Sequence, residues 1–325
     1  MKILVVGGAG YIGSHMVKQL ALSNHEVVTL DNLSCGYKDA VKYGELVIGD
    51  LGDVNVLKQL FSNHKFDAVM HFAAFIEVGE SVINPAKYYH NNVSNTHVLL
   101  DAMVKHDIEN FIFSSTAAIF GEPQYTPVDE GHPQHPINPY GRSKLMVEHM
   151  LEDYDEAYGL KSTCMRYFNA AGADPDGELG ERHNPESHLV PLILQAASGR
   201  RADIKIFGQD YPTDDGTCVR DYVHINDLCD AHSLALSRMQ KTGSSARYNL
   251  GNGKGFSVQQ VIDTAKQVSC RDFKVVITDR RAGDPAVLVA DARLAKQELN
   301  WQPKFDQLET IIETAWQWET NFFTQ

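Results

Sequence analysis

Short apolar runs alternate with amphipathic stretches through the first half of the chain. Ile3–Val6, Glu26–Leu30, Leu46–Ile48, Ala68–Phe72, Phe111–Ser114 and Ser162–Tyr167 are brief and rich in β-branched and aromatic residues, so they read as strands. Between them, Tyr11–Leu22, Val54–Ser62, Tyr88–Lys105 and Tyr140–Tyr158 carry apolar positions at helical spacing. Strands this apolar need cover on both faces, and the alternating helices supply it. An α/β fold with a parallel, doubly wound sheet is predicted.

From about Ala170 the pattern changes. Ala-Ala-Gly-Ala-Asp-Pro-Asp-Gly-Glu is turn-rich, and the elements beyond it are shorter and interleaved with Gly and Pro. Tyr222–Leu236 and Tyr248–Leu250 read as returns to the first sheet. The expected division is therefore discontinuous. Residues 1–170, with returns near 216–250, form one domain. Residues 171–215 and 251–325 form a smaller α/β lobe over the carboxyl edge of the sheet, where ligands of open α/β folds bind.

Composition narrows the partners. With 325 residues the chain can hold one large or two fused domains, and 43% hydrophobic with 22% charged residues is ordinary for a globular enzyme. A net charge of −13 disfavours nucleic acid and anionic membrane, both of which need a basic surface. No apolar run reaches the ~18 residues of a membrane span. The first run stops at Gly7 without a cleavage-site pattern, so a cytoplasmic location is expected. Five scattered cysteines without a Cys-x-x-Cys point to reduced thiols. The 14 histidines show no ligand spacing beside a carboxylate cluster, so no metal is expected.

Two motifs carry chemistry. Gly7-Gly8-Ala9-Gly10-Tyr11-Ile12-Gly13 follows the first strand and opens the first helix. Glycines there let the backbone turn and approach a pyrophosphate, which then rests on the helix N-terminus, the Rossmann arrangement. Asp31 ends the second strand, where a carboxylate bonds the adenosine ribose and repels a 2′-phosphate, favouring NAD over NADP. Asp50 and Leu51 end the third strand, in reach of adenine, although a solvated turn aspartate fits that spacing as well. The second motif is Tyr140-Gly-Arg-Ser-Lys144. Its ends share a helix face, and an ammonium beside a phenol favours the phenolate. With Ser114-Ser115-Thr116 at a strand end, these read together as a redox site.

Gly-Gly-Ala-Gly-Tyr-Ile-Gly, Phe-Ser-Ser-Thr116-Ala-Ala-Ile-Phe-Gly and Tyr140-x-x-x-Lys144 resemble the extended short-chain dehydrogenase/reductase family. Arg-Tyr167-Phe168-Asn169, Val-Arg220-Asp-Tyr-Val-His and Arg281-Ala-Gly-Asp284-Pro-Ala further resemble its UDP-glucose (UDP-galactose) 4-epimerases, over essentially the full length. The resemblance implies an isomerase of galactose metabolism. It would be NAD-dependent, with a 4-keto sugar that forms, rotates on its pyrophosphate tether and is reduced on the other face. It assigns Tyr140 as the base at the sugar's 4-hydroxyl, Lys144 to the nicotinamide ribose and Thr116 to the same hydroxyl. NAD would lie against Gly7, Gly10, Tyr11, Ile12 and Gly13. It would continue along Asp31, Asn32, Asp50 and Leu51, then Phe72, Ala73, Ala74 and Ile76, and finally Asn91, Ser114 and Phe168. The related 4,6-dehydratases carry Asp-Glu after the threonine; Ala117-Ala118 can supply neither acid nor base.

For the UDP-sugar the resemblance implies Arg220 and Arg281 on the phosphates, where a guanidinium matches phosphate geometry. Asn169 would join them, with Tyr167, His188 and Leu189 near the sugar. Asp284 would hold the uridine ribose, and the backbone at Phe207 the uracil. Two departures stand out. Ile76 replaces a lysine that some members place near the nicotinamide. Leu288, which bounds the sugar pocket, is intermediate in size between the residues of strict and permissive members. A UDP-N-acetylglucosamine or UDP-glucuronate 4-epimerase thus stays open, as does, in a different class, a non-catalytic dinucleotide sensor. The helices Tyr88–Lys105 and Tyr140–Tyr158 are the family's usual homodimer surface.

Overall fold

The computed structural model describes residues 1–281 and 283–323. The first half runs β1 (Lys2–Val6), α1 (Tyr11–Leu22), β2 (Glu26–Asp31), β3 (Glu45–Ile48), α2 (Val54–Asn63), β4 (Ala68–His71), α3 (Val78–Ile83), α4 (Pro85–Tyr88), α5 (Asn95–Lys105), β5 (Asn110–Thr116), α6 (Pro139–Tyr158) and β6 (Lys161–Tyr167). Then follow β7 (Asn169–Ala171), α7 (Leu189–Ala197), β8 (Ile204–Phe207), β9 (Val219–Arg220), β10 (Tyr222–His224), α8 (Ile225–Thr242), β11 (Ala246–Leu250), β12 (Phe256–Ser257), α9 (Val258–Ser269), β13 (Val275–Thr278), β14 (Val287–Leu288), α10 (Arg293–Glu298) and α11 (Leu308–Phe323).

Seven of these strands form one parallel sheet in the order β11-β6-β5-β4-β1-β2-β3. The chain starts at β1, winds outward to β3, then crosses back to β4. The reversal between β1 and β4 opens a crevice at the carboxyl edge. Side chains of β1 alternate between faces, as a strand requires. Ile3 and Val5 pack into one core with Met16 of α1 and Leu228 of α8. Leu4 and Val6 pack into the other with Leu57, Leu100 and Val147 of α2, α5 and α6. All four β1 residues are fully buried, which is why their run is uniformly apolar.

The later elements build a third core from Ile193, Ile206, Ile262 and Ile311, where α7, α9 and α11 cover the short β13–β8 pair. Buried Asp221 ties this part to the main sheet. Its carboxylate accepts the backbone N–H groups of Asn252 (2.5 Å), Gly253 (2.9 Å) and Ala290 (3.0 Å).

One predicted helix is interrupted. Tyr88–Lys105 comprises the end of α4, a π-helical turn over Tyr89–Ser94, and α5. Asn92 in that turn is buried. Its side chain accepts from Phe75 N and donates to Phe75 O, both at 3.0 Å, and reaches Ser143 Oγ at 3.2 Å. An extra residue in the turn delivers that amide to the crevice, a role typical of π-bulges.

Candidate active site

The glycine loop leaves the end of β1 with Gly7 at φ +83°, a conformation that side chains rarely adopt. A Cβ on Gly7 would sit 2.5 Å from Ala73 N, and one on Gly13 2.1 Å from the Gly7 carbonyl oxygen. Gly10 precedes α1 with no side-chain cap on the helix. The first-turn N–H groups are thus directed at the crevice, as a pyrophosphate requires. Asp31 Oδ2 accepts from Ala9 N at 2.9 Å and Oδ1 from Leu33 N at 2.8 Å, so its carboxylate is fixed with lone pairs left for a ribose. Asn32 donates to Asp50 at 2.7 Å. Asn32, Asp50, Phe75 and Asn91 line a cavity of about 340 Å³ at this outer end of the crevice. Leu51 is buried, while Phe72, Ala73, Ala74 and Ile76 run half-buried from the end of β4. These residues fit a dinucleotide along the sheet edge.

Thr116 ends β5 opposite Tyr167 of β6. Its Oγ accepts from Ala118 N at 3.1 Å. Tyr140 opens α6, whose start is set by Asn138 capping Gly141 N at 2.8 Å and by Pro139 in the first turn. Burial pushes the Tyr140 phenol up, and the adjacent Thr116 hydroxyl pulls it partly back. The expected acidification of Tyr140 by Lys144 is therefore corrected for the protein groups by themselves. Lys144 Nζ donates instead to the Ser114 carbonyl at 2.8 Å and lies 4.9 Å from the Phe113 ring centroid. Burial drops its own pKa to about 7, with Glu148 opposing the fall. A helical i, i+4 spacing puts both side chains on one face but does not bond them.

Several groups invisible to motif reading hold this geometry. Arg166 and Glu148 form a fully buried ion pair behind β5, with Arg166 Nε 3.0 Å from Glu148 Oε1. Ser115 Oγ donates to the same carboxylate at 2.5 Å. Ser114 Oγ pairs with the Tyr167 hydroxyl. Ser143 Oγ donates to the Tyr140 carbonyl at 2.7 Å, linking α6 to Asn92. A charge pair inside an apolar helix face and strand was the one available signal.

On the substrate side, Arg220 ends β9 and donates to the Pro285 carbonyl at 2.8 Å, with Asp284 at 3.5 Å. Arg281 lies over the Phe207 ring, 3.7 Å from its centroid. Asp284 faces Arg220 and not Arg281. Leu288 packs with Phe168 beside Ala117, Ile119 and Phe120. Asn169 donates its amide to the Asp221 carbonyl at 2.8 Å. His188 is the N-cap residue of α7, immediately before Leu189. Its Nδ1 faces Glu181 and Glu186, at 2.8 and 3.0 Å. His183 joins them, forming a histidine–carboxylate cluster that the spacing of the histidines does not announce. A loop brought together residues that show no helical or finger spacing.

Residues 3–251 match the NAD dependent epimerase/dehydratase family. A UDP-glucose 4-epimerase of Halalkalibacterium halodurans is 51% identical over 98% of this chain and 95% of its own. The UDP-glucose 4-epimerase of Brucella ovis in complex with NAD superimposes with a TM-score of 0.95 at 48% identity, covering 97% of each chain. That of Bifidobacterium longum in complex with NAD+ and UDP does so at 0.94 with 34% identity, covering 99% of each. The chain belongs to the NAD dependent epimerase/dehydratase family, among its UDP-glucose 4-epimerases.

Proposed function

We propose that Tyr140, Thr116 and Lys144 catalyse the reversible C4 epimerisation of UDP-glucose and UDP-galactose on a bound NAD. The carrying observation is their meeting at the carboxyl edge of the sheet, beside an uncapped glycine loop, with Ala117-Ala118 after the threonine. NAD, when bound, accepts a hydride from the sugar's C4 and returns it, so the reaction has no net redox. Tyr140 takes the 4-hydroxyl proton and later gives it back. It must do so as phenolate, and the positive charge needed to overcome its burial is shared by Lys144 and the cationic nicotinamide. Thr116 Oγ orients the same hydroxyl. Lys144, held by the Ser114 carbonyl, keeps N–H bonds free for a ribose.

Asp31 receives the adenosine ribose, and the first turn of α1 the NAD pyrophosphate. Arg220 and Arg281 meet the UDP phosphates, Asp284 the uridine ribose, and Leu288 walls the sugar. Residues 1–170 with returns near 216–250 bind NAD on this reading; residues 171–215 and 251–325 bind the UDP-sugar. Asn169, Tyr167, His188, Leu189 and the backbone at Phe207 complete the substrate side. Among the described residues no helix is long and apolar enough to cross a membrane. A cytoplasmic homodimer joined through α5 and α6 fits the unpaired thiols and the exposed Met146 and Tyr158 of α6. A monomeric mass in solution would remove the dimer.

The test is to incubate the purified protein, without added NAD, with UDP-glucose, UDP-N-acetylglucosamine and UDP-glucuronate separately and to follow products by NMR. Conversion of UDP-glucose to UDP-galactose is expected. No turnover of any of the three, even with NAD supplied, would overturn the reading.

A further inference from the structure

The loop between β7 and α7 gathers four side chains that the epimerisation chemistry does not use as a group. Glu181, His183, Glu186 and His188 each offer one ligand atom, and these atoms all lie within 4.8 Å of one another. We infer that they form a binding site for a transition-metal dication of the Zn2+ class, acting as a structural clamp.

Distances support a shared point between the groups. Zinc bonds of ~2.0–2.1 Å to imidazole nitrogen and carboxylate oxygen place tetrahedral ligand atoms about 3.3–3.4 Å apart. His188 Nδ1 is 2.8 Å from Glu181 Oε1 and 3.0 Å from Glu186 Oε1; His183 Nδ1 is 3.2 Å from Glu181 Oε1 and 3.6 Å from Glu186 Oε2. His183 lies at the centre of the cluster. Its Nδ1 is buried and sits between the two carboxylates, ion-paired to Glu181 at 3.2 Å and to Glu186 at 3.6 Å. A nitrogen set between two carboxylate oxygens is placed as a metal ligand is. Two imidazoles and two carboxylates also match the donors that borderline dications prefer.

The ligands are held from behind, as metal ligands commonly are. Glu186 Oε1 accepts the backbone N–H groups of Ser187 and His188, both at 2.9 Å. The Glu181 carbonyl accepts from Trp318 Nε1 of α11 at 3.1 Å. Glycine at 180 leaves room for that indole, since a Cβ there would lie 2.2 Å from it. Glu181 is buried while the other three are partly exposed, which gives an ion a route in.

The position defines what the ion would do. The His183 ring meets the Tyr11 ring edge-on at 6.4 Å, and Ser187 Oγ donates to Glu77 Oε1 at 2.7 Å. A metal at the four residues thus ties the β7–α7 loop to the dinucleotide loop and to the segment after β4. His188 keeps Nε2 for other contacts.

The test uses the full-length protein saturated with NAD, stripped with EDTA and desalted. Zn2+ is titrated by calorimetry, and Co2+ by visible absorption. One ion per chain is expected, with the intense Co2+ bands of a four-coordinate nitrogen–oxygen site and a raised melting temperature. Glu181→Gln with His183→Gln should weaken Zn2+ binding at least 100-fold. Absence of stoichiometric Zn2+ and Co2+ uptake by the unmodified protein would overturn the inference, as would unchanged uptake in the double variant. Should that variant fail to fold, an anomalous Zn2+ peak in crystals of the unmodified protein decides: a peak among the four residues supports the site, and a peak elsewhere or none removes it. None of these readouts depends on epimerase activity.

Discussion

Lys144 Nζ and the Ser114 carbonyl oxygen lie 2.8 Å apart, so the ammonium is anchored to the strand that carries Thr116 and not to Tyr140, one helical turn away. The lysine is consequently a fixed donor in a nearly dry setting, and burial has lowered its pKa to about 7. A side chain arranged this way favours the site's chemistry at the expense of the fold.

That cost has a defined pH window. Between about 7 and the ~10.4 of an unfolded lysine, the unfolded chain holds the proton and the folded chain does not, so this contribution to stability rises with pH. Below about 7 the charged, buried group weighs on the fold in full. Lys144→Met removes the effect. The melting temperature of the variant relative to wild type should be highest near pH 6 and should fall as pH approaches 9. Comparing the two proteins cancels the opposite trend from the buried thiols of Cys164 and Cys229, whose pKa values burial raises. A difference independent of pH would refute it.

Tyr140→Phe keeps the ring and deletes the proton acceptor. Turnover of UDP-glucose should fall by at least ~10²–10⁴, the usual worth of a positioned acid–base group. Bound NAD, measured by release on denaturation, should be unchanged. Full activity would take Tyr140 out of the mechanism.

Arg166 and Glu148 are both fully buried. Arg166→Met leaves the Glu148 carboxylate with Ser115 and with Arg247 at 3.6 Å. Stability in urea should drop by about 3–5 kcal/mol, the range for stranding one member of a buried pair. Adding Glu148→Leu should recover much of it. A loss under ~1 kcal/mol in the single variant would mean that Arg247 takes over the pairing.

Gly13→Ala places a Cβ 2.1 Å from the Gly7 carbonyl oxygen and 2.8 Å from Gly8 Cα, so backbone must move. The pyrophosphate turn should deform, weakening NAD affinity by at least ~10-fold, or ~1.4 kcal/mol, in a fluorescence titration. Gly79→Ala is the contrast. Nothing lies within 4 Å of its Cβ, and alanine is the better helix former, so NAD affinity should hold and stability rise by up to ~1 kcal/mol. Equal NAD affinity in the Gly13 variant would disprove the close-approach argument.

Much of the fold is readable along the chain because the sheet is built from local units. β1 and α1 flank the glycine loop, and each strand of the parallel sheet is apolar enough to stand out. The reading erred by a turn at Tyr89–Ser94, where helical periodicity continues through a π turn that exists to deliver Asn92 to Phe75 and Ser143. Nor did it read the burial that raises the Tyr140 phenol. Spacing reports which residues share a face, whereas a pKa depends on how much water packing removes.

The glycine loop, the Tyr140/Lys144 spacing and the absence of acid or base after Thr116 are covalent facts of the chain, and together they bound the chemistry. Tertiary structure decided the partners. It sent Lys144 to Ser114, Asp284 to Arg220, Arg281 to Phe207, and Arg166 to Glu148 in a fully buried pair. It also brought the ligand atoms of Glu181, His183, Glu186 and His188 within 4.8 Å of one another. Local periodicity follows from the geometry of a helix or strand. Pairing between distant side chains follows from how loops close and cores pack, and no short stretch of sequence contains that information.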